Sequence, residues 1–378
     1  MNCSLWTELS SSASSNISMT RGQVCDFESA WNHFYQKTAV RLFNFRGIVE
    51  DSFAVAGIVG YICLLLTLRR GDMNQQPSML YHKAIGAVEL VNMFLLVFIG
   101  ISRMFRAVWA KIYLWAFTLL LIVYPVIGCL CTIANILTMV VSLERCIALN
   151  MPQLFQKVNS KFVCRVAVLV CVIFGNWYLT ESFGYELQEY SGKYRYSKSE
   201  IGQSMPYAIY ECVRNIMEYA VTGITVVATV MVVWGFVRKN VKLDKLGSNT
   251  AAANNWKQDK QLCILQISLV IPVTLNTANE FVRIFLNSRI SSTELEIISR
   301  MPADKAFEIL QYLRYLHVSD VFNSITNCLI HCTNFYFYVI LSPRIRREFL
   351  VLLPFKFGKV ENSKTDKSTG SMSTRKSK

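Results

Sequence analysis

Charged residues are scarce in this chain of 378 residues. Asp, Glu, Lys and Arg together make up 17% of it, whereas 53% is hydrophobic and the mean hydropathy is +0.32. A soluble domain usually carries about 25% charged residues. The length would allow about two or three soluble domains, but this shortage of polar surface argues against them.

Several functional signatures are also missing from the sequence. The apolar segments contain no set of metal ligands and no nucleophile paired with a base, so we expect no enzyme activity, no metal and no cofactor. No internal repeat with Gly- or Pro-broken helices is present, which argues against a transporter. Residues 1–47 lack the apolar run of a signal peptide, so we expect the N-terminus to cross with the first span, uncleaved.

What the chain does contain is apolar blocks near the length of a membrane span. A helix needs about 20 mainly apolar residues to cross a bilayer. The alternative, a large soluble helical core, would leave too little polar surface to cover so many blocks. We therefore predict an all-α membrane protein, a seven-transmembrane helix bundle. The seven blocks are Phe53–Leu68, Ala84–Ile101, Tyr113–Val141, Phe162–Tyr178, Ile216–Val237, Leu262–Phe285 and Leu316–Leu341.

The basic residues predict the orientation of this bundle. With the N-terminus outside, the cytoplasmic side holds 23 of the 39 Lys and Arg but only 7 of the 25 Asp and Glu. This is the positive-inside pattern, not a nucleic-acid-binding surface, and it suits anionic lipid headgroups. Sequons at Asn2 and Asn16 both fall on the predicted outer side, which favours glycosylation there. We predict a multi-pass protein of the plasma membrane with an extracellular N-terminus.

The loop between the fourth and fifth blocks and the outer cysteines leave alternatives open. Residues 181–205 alternate aromatic and charged side chains around Ser191 and Gly192, which favours a β-hairpin, while an irregular polar loop is the other interpretation.

Only Cys3, Cys25 and Cys212 would face the oxidising exterior. Any disulfide must come from these three, with one thiol left over.

Polar residues inside the predicted bundle form one stripe. Glu89 lies near the middle of the second block, where an ionised carboxylate needs a partner. In the seventh block, polar residues step by four, four and three along one helical face. The stripe predicts an internal hydrogen-bond network, and two roles stay open for it, helix association and a conformational function. Its members are Asn323, Asn327, His331 and Asn334.

A second polar set lies near the outer ends of the fifth, sixth and seventh blocks. Glu218, Glu280 and Asp320 are acidic residues one or two turns inside the blocks, which predicts a pocket for a basic or polar ligand. The alternative is that such residues lie at headgroup level, which applies best to Arg283 and Arg314. The candidate ligand-binding residues are Glu218, Asn279, Glu280, Arg283, His317 and Asp320.

Five short motifs, in order along residues 53–350, carry a resemblance to a known family. They are AIGAVEL around Glu89, SLERCIALNMP (Ser142–Pro152), SLVIPVT around Pro272, NFYFY (Asn334–Tyr338) and SPRIRREFL (Ser342–Leu350). Together they resemble the rhodopsin-like (class A) G-protein-coupled receptors. The third block is similar to that of invertebrate and nematode FMRFamide-type neuropeptide receptors, which share its Tyr-Pro pair.

The resemblance implies domains and a mechanism. It implies an extracellular segment over residues 1–47, a receptor domain over 48–341, an amphipathic eighth helix over 342–352 and a cytoplasmic tail over 353–378, whose polar composition predicts disorder. An extracellular peptide would activate the receptor. Glu144 would neutralise Arg145 at rest, activation would free Arg145 to open a groove for a heterotrimeric G protein, and Tyr338 would support the open state. Phosphorylation of the tail would recruit arrestin.

The chain also departs from the family pattern. Val270 replaces the tryptophan of the sixth span, Phe335 replaces the proline before Tyr338, and Cys146 replaces the tyrosine after Arg145. The third block has no cysteine near its outer end, so Cys25–Cys212 is the candidate substitute for the family disulfide. The missing disulfide and the missing tryptophan favour an alternative, a divergent nematode-type chemosensory receptor, whereas the long tail and third loop argue against it. The departures leave the ligand unidentified.

Overall fold

The computed structural model describes residues 20–70, 75–104, 111–190, 192–246, 250–290, 298 and 301–352. Within these ranges the chain is helical except for one two-stranded hairpin and short turns. Its elements are α1 (Arg21–His33), α2 (Val40–Leu68), α3 (Met79–Met104), α4 (Tyr113–Phe117), α5 (Tyr124–Asn150), α6 (Pro152–Val158), α7 (Lys161–Gly175), β1 (Tyr185–Tyr190), β2 (Lys193–Lys198), α8 (Met205–Leu246), α9 (Thr250–Arg289), α10 (Ala303–Leu341) and α11 (Pro343–Leu352).

Short irregular helical turns make some of these elements continuous. A π-helical turn at Phe34–Ala39 joins α1 to α2, a second at Thr118–Val123 joins α4 to α5, and a 3-10 helix at Asn176–Gly184 continues α7. Among the described residues, five helical stretches are long and apolar enough to cross a membrane. They are Arg21–Leu68, Met79–Ser102, Tyr113–Asn150, Lys161–Gly184 and Met205–Arg238.

These five stretches contain the first five predicted blocks. The sixth and seventh blocks lie in α9 and α10, which have 40 and 39 residues and are long enough to cross a bilayer. Neither is among the five, and α10 carries the polar stripe that lowers its hydropathy. The structure therefore supports a helical protein with five candidate spans, and a seven-span bundle stays a prediction.

The long helices pack side by side in a closed ring. Around this ring, α2 contacts α3, α3 contacts α5, α5 contacts α8, α8 contacts α9, α9 contacts α10, and α10 returns to α2. Helix α7 lies outside the ring against α5 and α3. We call the end that carries the hairpin and α1 the hairpin end, and the opposite end, where α10 meets α11, the α11 end.

Residues 21–47, expected only as an extracellular segment, fold as helix at the hairpin end. Thr20 begins α1 with a reciprocal cap, because its hydroxyl accepts from the Gln23 amide and its own amide donates to Gln23 Oε1 at 3.0 Å. Helix α1 then buries aromatic side chains against the first turns of α10. This cluster contains Val24, Phe27, Trp31, Phe34, Ile298, Ala306, Ile309, Leu310 and Leu313.

The hairpin prediction is confirmed. Strands β1 and β2 pair antiparallel from Tyr185 opposite Lys198 to Tyr190 opposite Lys193. Gly192 supplies the positive φ of 71° that the turn requires. The rings of Tyr185 and Tyr196 stack with their centroids 4.3 Å apart, and burial raises the pKa of the Tyr196 phenol. The hairpin is therefore a packed element and not an irregular loop.

The amphipathic helix predicted after the seventh block is confirmed as α11. Ile345 is buried and Phe349 packs on Phe335 with ring centroids 5.5 Å apart, whereas Arg346 and Arg347 are exposed. Leu350, predicted on the apolar face, is instead 50% exposed, because residue 350 lies about 100° around the helix from residue 349. The tail over residues 353–378 lies outside the described residues.

Candidate functional site

A cavity of about 590 Å³ lies between α5, α8, α9 and α10 towards the hairpin end. Tyr196 of the hairpin and Tyr178 and Glu181 of the 3-10 segment line it on that side. Asn327 and Ile330 of α10 line it farther towards the middle of the ring. The cavity therefore extends from the hairpin into the interior of the helix ring, which is where concave ligand sites form between helices.

One wall of the cavity is a cluster of ion pairs between α9 and α10. Arg283 donates through Nη1 to both carboxylate oxygens of Glu280, at 2.7 and 2.8 Å, and through Nε to Asp320 Oδ1 at 2.6 Å. The Asn323 amide donates to Glu280 as well. We call Glu280, Arg283, Asp320 and Asn323 the outer clamp, because their side chains connect α9 to α10 near the hairpin end.

A second polar connection reinforces the outer clamp. Asn279 donates to the Ser319 carbonyl at 3.0 Å, and the Ser319 hydroxyl donates to Asn279 Oδ1 at 2.8 Å. Four of the six candidate ligand-binding residues, Asn279, Glu280, Arg283 and Asp320, are thus brought together as predicted. Their side chains are engaged mainly with one another.

The opposite wall carries Glu218, and with it a residue that was not among the candidates. Arg214 lies one turn before Glu218 on α8, with Nη1 at 3.3 Å from Glu181 Oε1 and its guanidinium 5.0 Å from the centre of the Tyr178 ring. The spacing of four residues from Glu218 was the sequence signal for Arg214, because such residues share a helical face. Glu181 lies in a different element and had no such signal.

His317 was predicted at the ligand site, but the structure places it away from the cavity. Its ring packs against Phe34 and Tyr35, with centroids 5.3 and 5.8 Å away, in the cluster between α1 and α10. The guanidinium of Arg314 lies 5.7 Å from the centre of the Phe34 ring. Because α10 begins at Ala303, well before the apolar block, this stretch contacts α1 and does not line the cavity.

Some polar atoms in the cavity wall are not satisfied. Arg214 Nε, Asn276 Oδ1 and Asn323 Oδ1 are buried without a hydrogen-bond partner in the structure. A buried polar atom without a partner costs about 1–3 kcal/mol. The wall therefore favours a polar occupant over an apolar one.

The predicted partner for Glu89 is present in the middle of the ring. Glu89 Oε1 of α3 lies 2.6 Å from His331 Nδ1 of α10, and both side chains are buried. Asn92 donates to the other Glu89 oxygen at 3.3 Å, and the Tyr61 hydroxyl donates to the His331 carbonyl. Glu89 and His331, one residue of the polar stripe, thus belong to a network that joins α2, α3 and α10.

A third polar contact on α10 lies towards the α11 end. The Tyr338 hydroxyl and His82 Nδ1 are 2.9 Å apart and both side chains are buried. Arg145 of α5 acts electrostatically on both groups. Tyr338 is therefore engaged with α3 and lies close to the residue that the family resemblance makes the switch.

The predicted neutralisation of Arg145 by Glu144 is not seen. Glu144 is buried, neither of its carboxylate oxygens has a hydrogen-bond partner, and the described residues contain no ion pair between it and Arg145. Successive residues on a helix point about 100° apart. Glu144 lies within electrostatic range of Tyr81, Cys164 and Arg145, and Arg145 lies within electrostatic range of His82 and Tyr338.

The disulfide prediction is also wrong, because Cys25 and Cys212 are both free thiols. Cys25 packs against the cluster between α1 and α10, whereas Cys212 is exposed on α8. Pro272 and Asn334 lie within α9 and α10, but their side chains are outside the described part of the structure, as are the sequons at Asn2 and Asn16.

Comparison with known proteins adds no relative. No protein-family model matches the chain, and a search of curated proteins returns no match. The fold and the site by themselves define a helical protein with several helices long and apolar enough to cross a membrane, which encloses a charged cavity. Its function is therefore argued from these residues.

Proposed function

We propose that the protein is a rhodopsin-like G-protein-coupled receptor of the plasma membrane, activated by an extracellular peptide of the FMRFamide type. In this proposal α9 and α10 complete a bundle of seven spans, the hairpin end faces outside and the α11 end faces the cytoplasm. The charged cavity then opens towards the ligand. The basic face of α11, with Arg346 and Arg347, then lies at the inner lipid surface.

The observation that carries the proposal is a column of polar contacts along α10. Asn323 contacts Glu280 of α9 at the cavity, His331 contacts Glu89 of α3 in the middle, and Tyr338 contacts His82 of α3 towards the α11 end. At 1.5 Å per residue, these contacts extend over about 22 Å of one helix. Polar groups are costly to bury at such depth, and those that occur there commonly serve a function.

The column connects the ligand site to Arg145. A ligand that binds one arrangement of the outer clamp better than another shifts the population of the two states by its difference in affinity. The same helix carries Tyr338, which contacts His82 at the other end of the column and lies within electrostatic range of Arg145. Arg145 is half-buried there, and in this proposal activation exposes it as a contact for the G protein.

The experiment is a screen of amidated neuropeptides on cells that express the receptor and report calcium and cyclic AMP. We expect at least one peptide to evoke a response that is lost in Arg145→Ala at equal surface expression. Arg165→Ala, which removes an exposed arginine from α7, is the matched control and keeps the response. A full response in Arg145→Ala would contradict the proposal.

A second arm tests the chemosensory alternative, for which the free thiols of Cys25 and Cys212 are the supporting observation. The same cells are exposed to a panel of small volatile and water-soluble odorants. Responses to odorants together with silence towards every peptide would replace the peptide proposal with this alternative.

A further inference from the structure

The charges around the cavity do not balance. Four carboxylates, those of Glu181, Glu218, Glu280 and Asp320, face or support the cavity wall, against the two guanidinium groups of Arg214 and Arg283. The set therefore carries an excess of two negative charges when all the groups are ionised. An occupant of opposite charge complements such a site.

Three of the four carboxylates already have a cation. Glu280 and Asp320 share Arg283 at 2.7 and 2.6 Å, and Glu181 faces Arg214 at 3.3 Å. Taking either carboxylate of the outer clamp for a ligand would cost one of these ion pairs. The clamp residues are therefore poor primary contacts for an incoming charge, although the sequence favours them.

Glu218 is the carboxylate that remains. It lines the cavity and its side chain is exposed. Within the described part of the chain no hydrogen bond or ion pair at ordinary distance involves it, and the charge of Arg214, one turn back on α8, acts on it only from beyond that distance. Two further acceptors without partners, Asn276 Oδ1 and Asn323 Oδ1, belong to residues that line the same cavity. A group with several N–H donors and a positive charge would satisfy all three.

We infer that Glu218 is the residue that binds a cationic group of the ligand, a guanidinium or an ammonium, while Glu280 and Asp320 hold the outer clamp. The inference rests on the proposed function only in taking this cavity as the ligand site. It names a specificity-determining contact on α8 and excludes the clamp carboxylates from that role. Asn276 and Asn323 line the same cavity, and their unpartnered Oδ1 atoms are further acceptors for such a group.

The test measures binding of a small cation directly and needs no knowledge of the natural ligand. The full-length protein in detergent is titrated with methylguanidinium, with acetamide as the neutral comparison, and its melting temperature is recorded. We expect saturable stabilisation by methylguanidinium alone. In Glu218→Gln the apparent affinity falls by roughly tenfold or more, as a lost charged hydrogen bond implies, and Glu218→Asp restores part of it.

Two further variants locate the effect. Glu280→Gln breaks the outer clamp and lowers the starting melting temperature, but we expect it to keep the methylguanidinium response. Glu211→Gln removes a carboxylate from α8 that pairs with Lys198 outside the cavity, and it keeps the response as well. Because each variant is compared with its own cation-free sample, a change in basal stability does not enter the result.

The inference is overturned if the wild-type protein shows no saturable response to methylguanidinium, if Glu218→Gln responds as the wild type does, or if only Glu280→Gln loses the response. None of these outcomes involves signalling. Failure of the peptide screen with a normal Glu218 result would therefore reject the receptor proposal and leave the cation site standing. The reverse pattern would reject the site alone.

Discussion

At the scale of single residues, the pair of Glu89 and His331 is the contact on which the interior depends most. Both side chains are buried and their nearest atoms are 2.6 Å apart. Two buried partners of this kind are costly to separate, because removing one leaves the other without compensation in a medium of low dielectric constant. The pair therefore stabilises the ring only as a unit.

We predict that His331→Leu lowers the free energy of unfolding by about 3–5 kcal/mol, the usual effect of leaving one member of a buried pair without its partner. Glu89→Gln combined with His331→Leu should cost less than the sum of the two single changes, because no charge then remains buried. Thermal unfolding of the four proteins in detergent gives the coupling energy. Strictly additive losses would show that the two side chains do not act on each other.

The residue scale also shows where sequence reasoning reached its limit. The need of a buried carboxylate for a partner correctly joined Glu89 to the seventh block, where His331 is that partner. The shared face of the stripe stays a prediction, because Asn323 contacts Glu280 of α9 instead. For the predicted neutralisation of Arg145 by Glu144, the described residues show no ion pair or hydrogen bond, and the charge of Arg145 acts on Glu144 only at longer range, because adjacent residues on a helix point in different directions. Adjacent positions in the sequence do not show that two side chains of a helix meet.

At the scale of elements, the outer clamp determines how α9 lies against α10. Arg283 of α9 holds Asp320 of α10, and Asn323 of α10 donates to Glu280 of α9. These bonds cross from one helix to the other in both directions. The guanidinium group of Arg283 is therefore the cation in this connection, beside the uncharged hydrogen bonds between Asn279 and Ser319.

We predict that Arg283→Met raises signalling in the absence of ligand, because it removes the cation that holds the two helices together. The clamp is about one third exposed, so the loss of stability should stay near 1 kcal/mol or below. Basal cyclic AMP and calcium levels at matched surface expression measure the effect. Arg289→Met, an exposed change on the last turn of α9, is the control and should leave the basal level unchanged.

A basal level no higher than that of the control would mean that the outer clamp does not restrain the switch.

The arrangement of the elements also explains two residues that the sequence placed wrongly or did not single out. His317 was assigned to the pocket because the start of α10 was taken from the apolar block, and helix ends are not fixed by hydropathy. Glu181 was overlooked because it reaches the cavity from the 3-10 segment, a contact between elements that no local pattern encodes.

At the scale of the whole molecule, the proposed orientation rests on the distribution of charge along the sequence. Most basic residues fall on the segments predicted to be cytoplasmic, and the only sequons lie before α1. Hydropathy and charge are summed over many residues, so one misjudged residue changes them little, and they predicted the long helices well. They cannot show whether α9 and α10 cross the membrane, because both helices carry polar groups that pack inside the ring.

We predict that the protein carries glycans at Asn2 and Asn16 and none in its tail. Enzymatic deglycosylation should increase its mobility on a denaturing gel, and the double change Asn2→Gln and Asn16→Gln should abolish that shift. Lys364→Ser creates a new sequon at Asn362, which should stay unmodified if the tail faces the cytoplasm. A glycan at Asn362 would contradict an odd number of spans.

Helix α10 runs without a break from the cluster with α1 to Tyr338, so it can act as a lever. Its 39 residues extend over about 58 Å, and the contact between His331 and Glu89 lies between its two ends as a fulcrum. We expect a molecule that binds α1 and tilts it to move the part of α10 before His331. The part after His331, towards Tyr338, then moves in the opposite direction. An antibody raised against α1 would thus control the protein without ever entering its cavity.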